Sequence, residues 1–376
     1  MHDHADVIVI GAGTTGSSVA WHLARAGLSV RLLDKGAVAS GASGASPGIV
    51  RQYYADPALS QLAAQGVRAY RNWSQHYPGD CGYQRTGFLT AVAEHEEQAT
   101  RENIALLKGQ GGAVEWLTPV AAQELVPDLC TEGLAGLVYE PEAGYCDPRR
   151  TAESFTSGAR NQGAVIDERQ AARGIVCLAG RVIGVQTHSG FIACGHVVNA
   201  AGPWAAALAA DCGAPLPITA TRQCVGIVAV QSFGEQPPMP GFSDRNAGFY
   251  LRPDFEGTCF IGSLLTQDSE RIDPDTFDRT MSDDRVRSYR DRAVKRLRRL
   301  EGARPVGRRV SFFDNTPDGN PIIGVDPRLS GMVVAAGLCG HGFKFAPLFG
   351  QAIARWVERG VLLEGMEPFA VERFLQ

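Results

Sequence analysis

Three glycines and an acid near the start of the chain form a pattern with a chemical reading. Gly11, Gly13 and Gly16 make GxGxxG within "DVIVIGAGTTGSSVAWHLARAGLSVRLLD" (6–34), after an apolar run and at the opening of a helix-like one. The first glycine permits a tight turn, the second lets backbone approach a pyrophosphate, and the third lets helix pack on strand. Thr14 and Thr15 stand in the same turn, where helix amides and the positive dipole end favour phosphate. Asp34, followed by Lys35, ends the next strand-like run and is placed to accept hydrogen bonds from adenosine ribose hydroxyls. The spacing points to a dinucleotide without saying which.

A single ammonium raises a second question. Lys344 sits in "CGHGFKFAP" (339–347), between a strand-like "GMVVAAG" (331–337) and a helix-like "PLFGQAIARWVERG" (347–360). A cation in so apolar a turn needs an anionic partner or an altered pKa. Left in water at a helix start, it would oppose the dipole.

The elements that must hold these residues read as mixed α/β. The first 34 residues form a βαβ unit, with Gly27 ending the helix. Asp56-Pro57 and Asp147-Pro148 are cap-plus-proline helix starts. "RVIGVQTHSGFIACGHVVNAAG" (181–202) alternates like a strand meander, and 217–265 is strand-rich, best at "QCVGIVAV" and "GFYLRPDFEGTCFIGS". In 286–309, Val286, Tyr289, Ala293, Leu297 and Leu300 recur at helical spacing, predicting an amphipathic helix with a solvated basic face.

Composition narrows the class. At 376 residues the chain exceeds one typical core, and no linker separates its parts, so two interwoven domains are expected. A net charge of -4 gives no general attraction to nucleic acid or acidic membrane. Nine cysteines, without CxxC or Cys/His ligand spacing, argue against a metal site and suit a reducing compartment. No leader-like or membrane-spanning run is present, so a cytoplasmic location is expected.

The segment after Asp34, "KGAVASGASGASPGIVR" (35–51), resembles the stretch that lies along FAD in the D-amino-acid oxidase superfamily. The similarity continues through "VVNAAGPWA" (197–205), "GFYLRP" (248–253), "TPDGNPIIG" (316–324) and "GLCGHGFKFAP" (337–347), in the family's order. The chain most resembles the sarcosine oxidase-like and glycine oxidase-like branch, which oxidises amine C–N bonds of amino acids. This resemblance implies an α/β fold with a Rossmann-like FAD-binding domain (1–80, 146–215 and 311–376) interleaved with a mostly antiparallel substrate domain (81–145 and 216–310).

Carried over residue by residue, the resemblance places Ala42, Ser43, Gly44 and Ser46 against the flavin, where large side chains would collide. It places Ala200, Ala201, Gly202 and Trp204 near the cofactor, and Gly340, His341, Gly342 and Phe343 in a turn whose amides and following helix face the flavin pyrimidine. Arg51 and Lys344 occupy the positions that hold a substrate carboxylate, and Tyr250 that of a pocket tyrosine. His341 is expected to pack or hydrogen-bond, and Arg252 to be structural. Ser311 stands where sarcosine oxidases carry the cysteine that bonds flavin, so noncovalent FAD is expected. Phe260 or a neighbour replaces their lysine over the flavin, which leaves oxygen or another electron acceptor open. The implied reaction is oxidation of a small amino acid or N-alkyl amino acid. The alternatives are 2-hydroxy-acid oxidation on the same fold, or an FAD-binding subunit of a larger amine dehydrogenase; a homo-oligomer also remains open.

Overall fold

The computed structural model describes residues 4–230, 239–254, 257–361 and 363–375. Strand His4–Ile10 runs parallel to Val30–Leu33 on one side and to Gly190–Asn199 on the other, and helix Thr14–Arg25 completes the expected βαβ unit. Val7, Ile8 and Val9 are buried without alternation, because helices cover both faces of a central parallel strand. Val7, Val9 and Leu32 pack with Val19, Leu23, Phe155 and Phe349, while Ile8, Ile10 and Leu33 pack with Leu208 and Ala209.

The sheet extends through Val165–Asp167 beyond Val30–Leu33, and through Met332–Ala336 and Ile322–Val325 beyond Gly190–Asn199. The expected meander is a hairpin of Arg181–Thr187 and Gly190–Asn199 whose second strand continues into the parallel sheet. The carboxylate of Asp56 accepts the amides of Ala58 and Leu59 at the start of helix Pro57–Arg71. Asp147 does the same for Arg149 and Arg150 at the start of Pro148–Asn161. Each acid satisfies amides that have no partner within the helix.

A second sheet follows the order Glu270–Arg271, Thr219–Ala229, Thr258–Ser263, Phe249–Pro253, Gly241–Asp244, Phe88–Val92, Gly136–Glu140, Glu115–Leu117. Arg304–Asn315 pairs with the other edge of Thr219–Ala229, so one unbroken strand crosses position 310. The named pairs are antiparallel except Gly241–Asp244 with Phe88–Val92. Phe255 and Glu256, inside one stretch expected to be strand, lie outside the described residues.

Two sequence expectations need correction here. Helix Asp283–Val294 ends before Leu297 and Leu300, which stay buried through a bend and a short turn. Its basic residues are not simply solvated: Arg292, Arg296 and Arg299 are largely buried against Asp268, Asp244 and Asp128. The last long helix is Gly342–Arg359, starting five residues ahead of Pro347. Among the described residues, no helix is long and apolar enough to cross a membrane.

Candidate active site

The early start of helix Gly342–Arg359 explains where Lys344 points. Pro347 has no N–H to give the Phe343 carbonyl, and the Tyr70 hydroxyl donates to that carbonyl instead, at 2.6 Å. The proline is therefore accommodated, and Lys344 lies on the first helical turn. Helix Pro57–Arg71 presses on this turn: a Cβ on Gly66 would come within 2.3 Å of the Lys344 carbonyl oxygen. Lys344 is only 6% exposed, and among the described residues its Nζ has one weak acceptor, the His341 carbonyl at 3.4 Å. Burial, then the Arg51 charge, holds this lysine well below its ordinary pKa, and Glu140 opposes them.

Arg51 reaches the same place from the segment Arg51–Tyr54. Its guanidinium donates to the Tyr53 carbonyl and lies 4.4 Å from the Tyr54 ring centroid. The Lys344 ammonium lies 5.4 Å from that centroid. Both contacts fall within cation–π range. Among the described residues, neither cation has a carboxylate within ion-pair distance, which contrasts with Arg252, tied to Asp254 and to the Pro47 carbonyl. The Tyr54 hydroxyl meets His341 Nδ1 at 3.1 Å. Burial, helped by Lys344 and Arg51, pushes His341 well below its ordinary pKa, so it is a neutral hydrogen-bonding partner.

These groups share a cavity of about 660 Å³ between the two sheets. Arg51, Tyr250 and Lys344 line it together with Gly340, His341, Gly342 and Phe343. Tyr250 projects from the second sheet opposite Gly262, where a Cβ would strike the tyrosine ring. Burial pushes its phenol upward. Thr14, Thr15, Ala42, Ser43 and Ser46 line the other part. There the Ser43 hydroxyl accepts the Thr14 amide at 3.0 Å, and Thr14 Oγ1 is buried without a partner among the described residues.

The remaining expected cofactor residues stand beside the cavity rather than on its wall. Gly11, at φ +106°, and Gly16 let turn, helix and the Ala200 segment meet: a Cβ on either would fall within 2.3 Å of backbone oxygen. Gly13 lies under Ser43, and a Cβ on Gly44 would strike the Ala39 carbonyl. Asp34 accepts the amides of Ala12 and Gly36, each at 2.7 Å, and so braces the turn. The Ala201 amide is close to the Asn199 side chain, and Gly202 takes a positive φ. Lys35 pairs with Asp275 and lies 3.5 Å from the Trp204 ring centroid, while Trp204 donates to the same aspartate.

The profile of the DAO family, FAD dependent oxidoreductases, matches residues 6–356. The chain belongs to this family. It is 28% identical to 4-methylaminobutanoate oxidase (formaldehyde-forming) of Paenarthrobacter nicotinovorans over 98% of its own length and 45% of that protein's. It is 29% identical to glycine oxidase of Geobacillus kaustophilus, covering 98% of this chain and 97% of that one. Among solved structures, L-proline dehydrogenase from P. horikoshii superposes with a TM-score of 0.90 at 26% identity, over 100% and 99% of the two chains. The chain thus spans less than half of its first relative and nearly all of the second.

The site fits the family's cofactor. One end offers a helix N-terminus, small residues and a hydroxyl, and the other two cations, the hydroxyl without a hydrogen-bond partner and the cations without a carboxylate partner among the described residues. Ser311 lines the cavity, whereas Phe260 is buried outside it, with the guanidiniums of Arg252 and Arg309 4.2 and 4.6 Å from its ring centroid. Sequence reasoning missed Tyr54, against which both cations rest, and Glu140, whose carboxylate accepts the Gln52 and Tyr53 amides just after Arg51. The one signal for Glu140 was an acid ending the apolar run "GLVY" (136–139).

Proposed function

We propose that this protein oxidises the C–N bond of a small amino acid or N-alkyl amino acid, with noncovalent FAD. The observation that carries the reading is the convergence of Arg51 and Lys344 in one cavity, with no carboxylate among the described residues in ion-pair reach. Two buried cations facing an open volume are suited to a substrate carboxylate, held by charge-assisted hydrogen bonds. Relatives named for oxidation of methylaminobutanoate, glycine and L-proline support the same substrate class.

Bound FAD supplies the hydride acceptor. The chain's part is to orient: Arg51 and Lys344 fix the carboxylate, and Tyr250 bounds the cavity from the second sheet. The α-carbon loses a hydride and the amine nitrogen a proton, and water then hydrolyses the imine to a carbonyl compound and an amine. We assign FAD binding to the first sheet with its helices, and the substrate wall to the second. The partners on this reading are the amino acid and an electron acceptor. A cytoplasmic setting suits nine cysteines left as thiols, two of which, Cys81 and Cys146, stand with sulfurs 3.8 Å apart.

Anaerobic mixing of the yellow protein with L-, D- and N-methyl amino acids tests the reading. Bleaching of the flavin absorbance by one of these classes is expected, and readmitted air separates a fast oxidase from a slow dehydrogenase. Bleaching by a 2-hydroxy acid alone, or by nothing, overturns it.

A further inference from the structure

Glu140 is fully buried at the end of strand Gly136–Glu140, opposite Phe88. Its Oε2 accepts two consecutive amides, those of Gln52 and of Tyr53, the latter at 3.1 Å. The next amide, of Tyr54, is taken by the Ser60 hydroxyl at 2.8 Å. The backbone that carries Arg51 into the cavity is therefore fastened at three successive residues. Glu140 Oε1, equally buried, has no hydrogen-bond partner among the described residues. A neutral side chain could staple amides, so a buried carboxylate with one bare oxygen calls for another reason.

The reason lies in the charges around it. Two cations in one dry wall repel, and each is costly to bury. Arg51, Lys344 and the Tyr54 phenol are the titratable or charged groups acting on or affected by Glu140. Around Lys344 stand Arg51, Glu140 and His341, with Arg245 also acting on His341. Glu140 is the only acid in this set.

Resting on the carboxylate-clamp reading above, we propose that Glu140 is a positioning residue for the reaction. It fastens the Arg51 segment, and its fixed negative charge lets Arg51 and Lys344 both stay cationic beside the same cavity. With Glu140 in place the three groups sum to one positive charge, matching a substrate with one carboxylate. Burial pushes Glu140 up and Lys344 down, each toward its neutral form; against it Arg51, the two amides and Lys344 pull the glutamate back, and Glu140 in turn supports the lysine proton.

Glu140→Gln separates charge from staple, because the amide oxygen still accepts hydrogen bonds. The flavin-loaded wild type, Glu140→Gln, Glu140→Asp and Lys344→Met are titrated with acetate from about pH 6 to 10, with the flavin spectrum reporting binding. Wild-type affinity should fall above an alkaline limb that Lys344→Met lacks. In Glu140→Gln that limb should move to lower pH by about one unit, with affinity at the acid end undiminished. Glu140→Asp keeps the charge, so its limb should stay at the wild-type position even where shortened reach weakens binding. It carries the test if the glutamine variant fails to load flavin. An unmoved limb in Glu140→Gln, a uniform loss at every pH, or a shifted limb in Glu140→Asp overturns the proposal. Wild type that binds no acetate at any pH overturns the clamp itself, a different failure.

Discussion

The Arg51 guanidinium and the Lys344 ammonium rest against the same ring, 4.4 and 5.4 Å from the centroid of Tyr54. One arrives on an extended segment near residue 50 and the other on a helix that starts at residue 342, so the chain closes almost its whole length to bring them together. Each is held by packing and a backbone carbonyl, and among the described residues neither has an ion-pair partner, which leaves both charges available to a ligand. The arrangement also lowers the Lys344 pKa, since burial and a nearby guanidinium disfavour the ammonium.

Removing either cation should weaken substrate binding while leaving flavin in place. Arg51→Ala or Lys344→Met is expected to raise KM for the amino acid by about 10- to 100-fold, the worth of one charge-assisted hydrogen bond. Because the same contacts orient the α C–H bond, kcat should fall as well. Steady-state kinetics with flavin content measured in parallel checks this. An unchanged KM in both variants would remove the clamp from the mechanism.

Flavin should be releasable without breaking a covalent bond. Ser311 lines the cavity where a bonding cysteine would be expected, and a hydroxyl offers no comparable nucleophile. Acid precipitation is expected to leave the yellow colour in the supernatant; colour retained in the pellet would point to another attachment.

Much of this was legible in the sequence because it is local. GxGxxG with its flanking strands, and the two Asp-Pro helix starts, depend on neighbours within about one turn. The start of helix Gly342–Arg359 was misplaced because Pro347 reads as a beginning. Only a tyrosine from another helix shows how the proline is accommodated inside. The basic stretch from 286 read as solvated for the same reason: the partners Asp128, Asp244 and Asp268 come from other elements. Glu140 and Tyr54 escaped notice because their meaning lies in contacts 87 to 287 residues away along the chain, from Glu140 to Tyr53 and from Tyr54 to His341.

Gly66 gives a test of how tightly Lys344 is placed. A Cβ there would meet the Lys344 carbonyl oxygen at 2.3 Å, and a helix backbone cannot give way as a side-chain end can. Gly66→Ala should cost about 1–3 kcal/mol of stability and push the Lys344 turn away from Tyr54. Carboxylate binding should suffer more than flavin content does. Urea unfolding and acetate titration measure the two effects, and a variant as stable and as tight-binding as wild type would show that the two helices are free to separate.

Asp314 supplies a pH dependence of the same origin as that of Lys344, burial, but with the pKa shifted in the opposite direction. Its carboxyl is buried in the cavity wall with Oδ2 unpartnered among the described residues, and burial pushes its pKa up to about 6 against the pull of the Leu338 and Gly337 amides. An acid raised above its unfolded value holds its proton better in the folded state. Its contribution to stability is therefore present below about pH 4 and lost as pH rises through about 6. Asp314→Asn mimics the protonated form and should be more stable than wild type by roughly 3 kcal/mol at about pH 8, with the gap closing as pH falls toward about 4. Urea unfolding of both proteins across that range decides it, since a gap that stays constant with pH would mean that the carboxyl titrates normally. The Cys339 amide donates to the Asp314 carbonyl at 3.0 Å, only three residues before the helix that bears Lys344. The backbone of Asp314 is thus joined to the turn that aims the lysine.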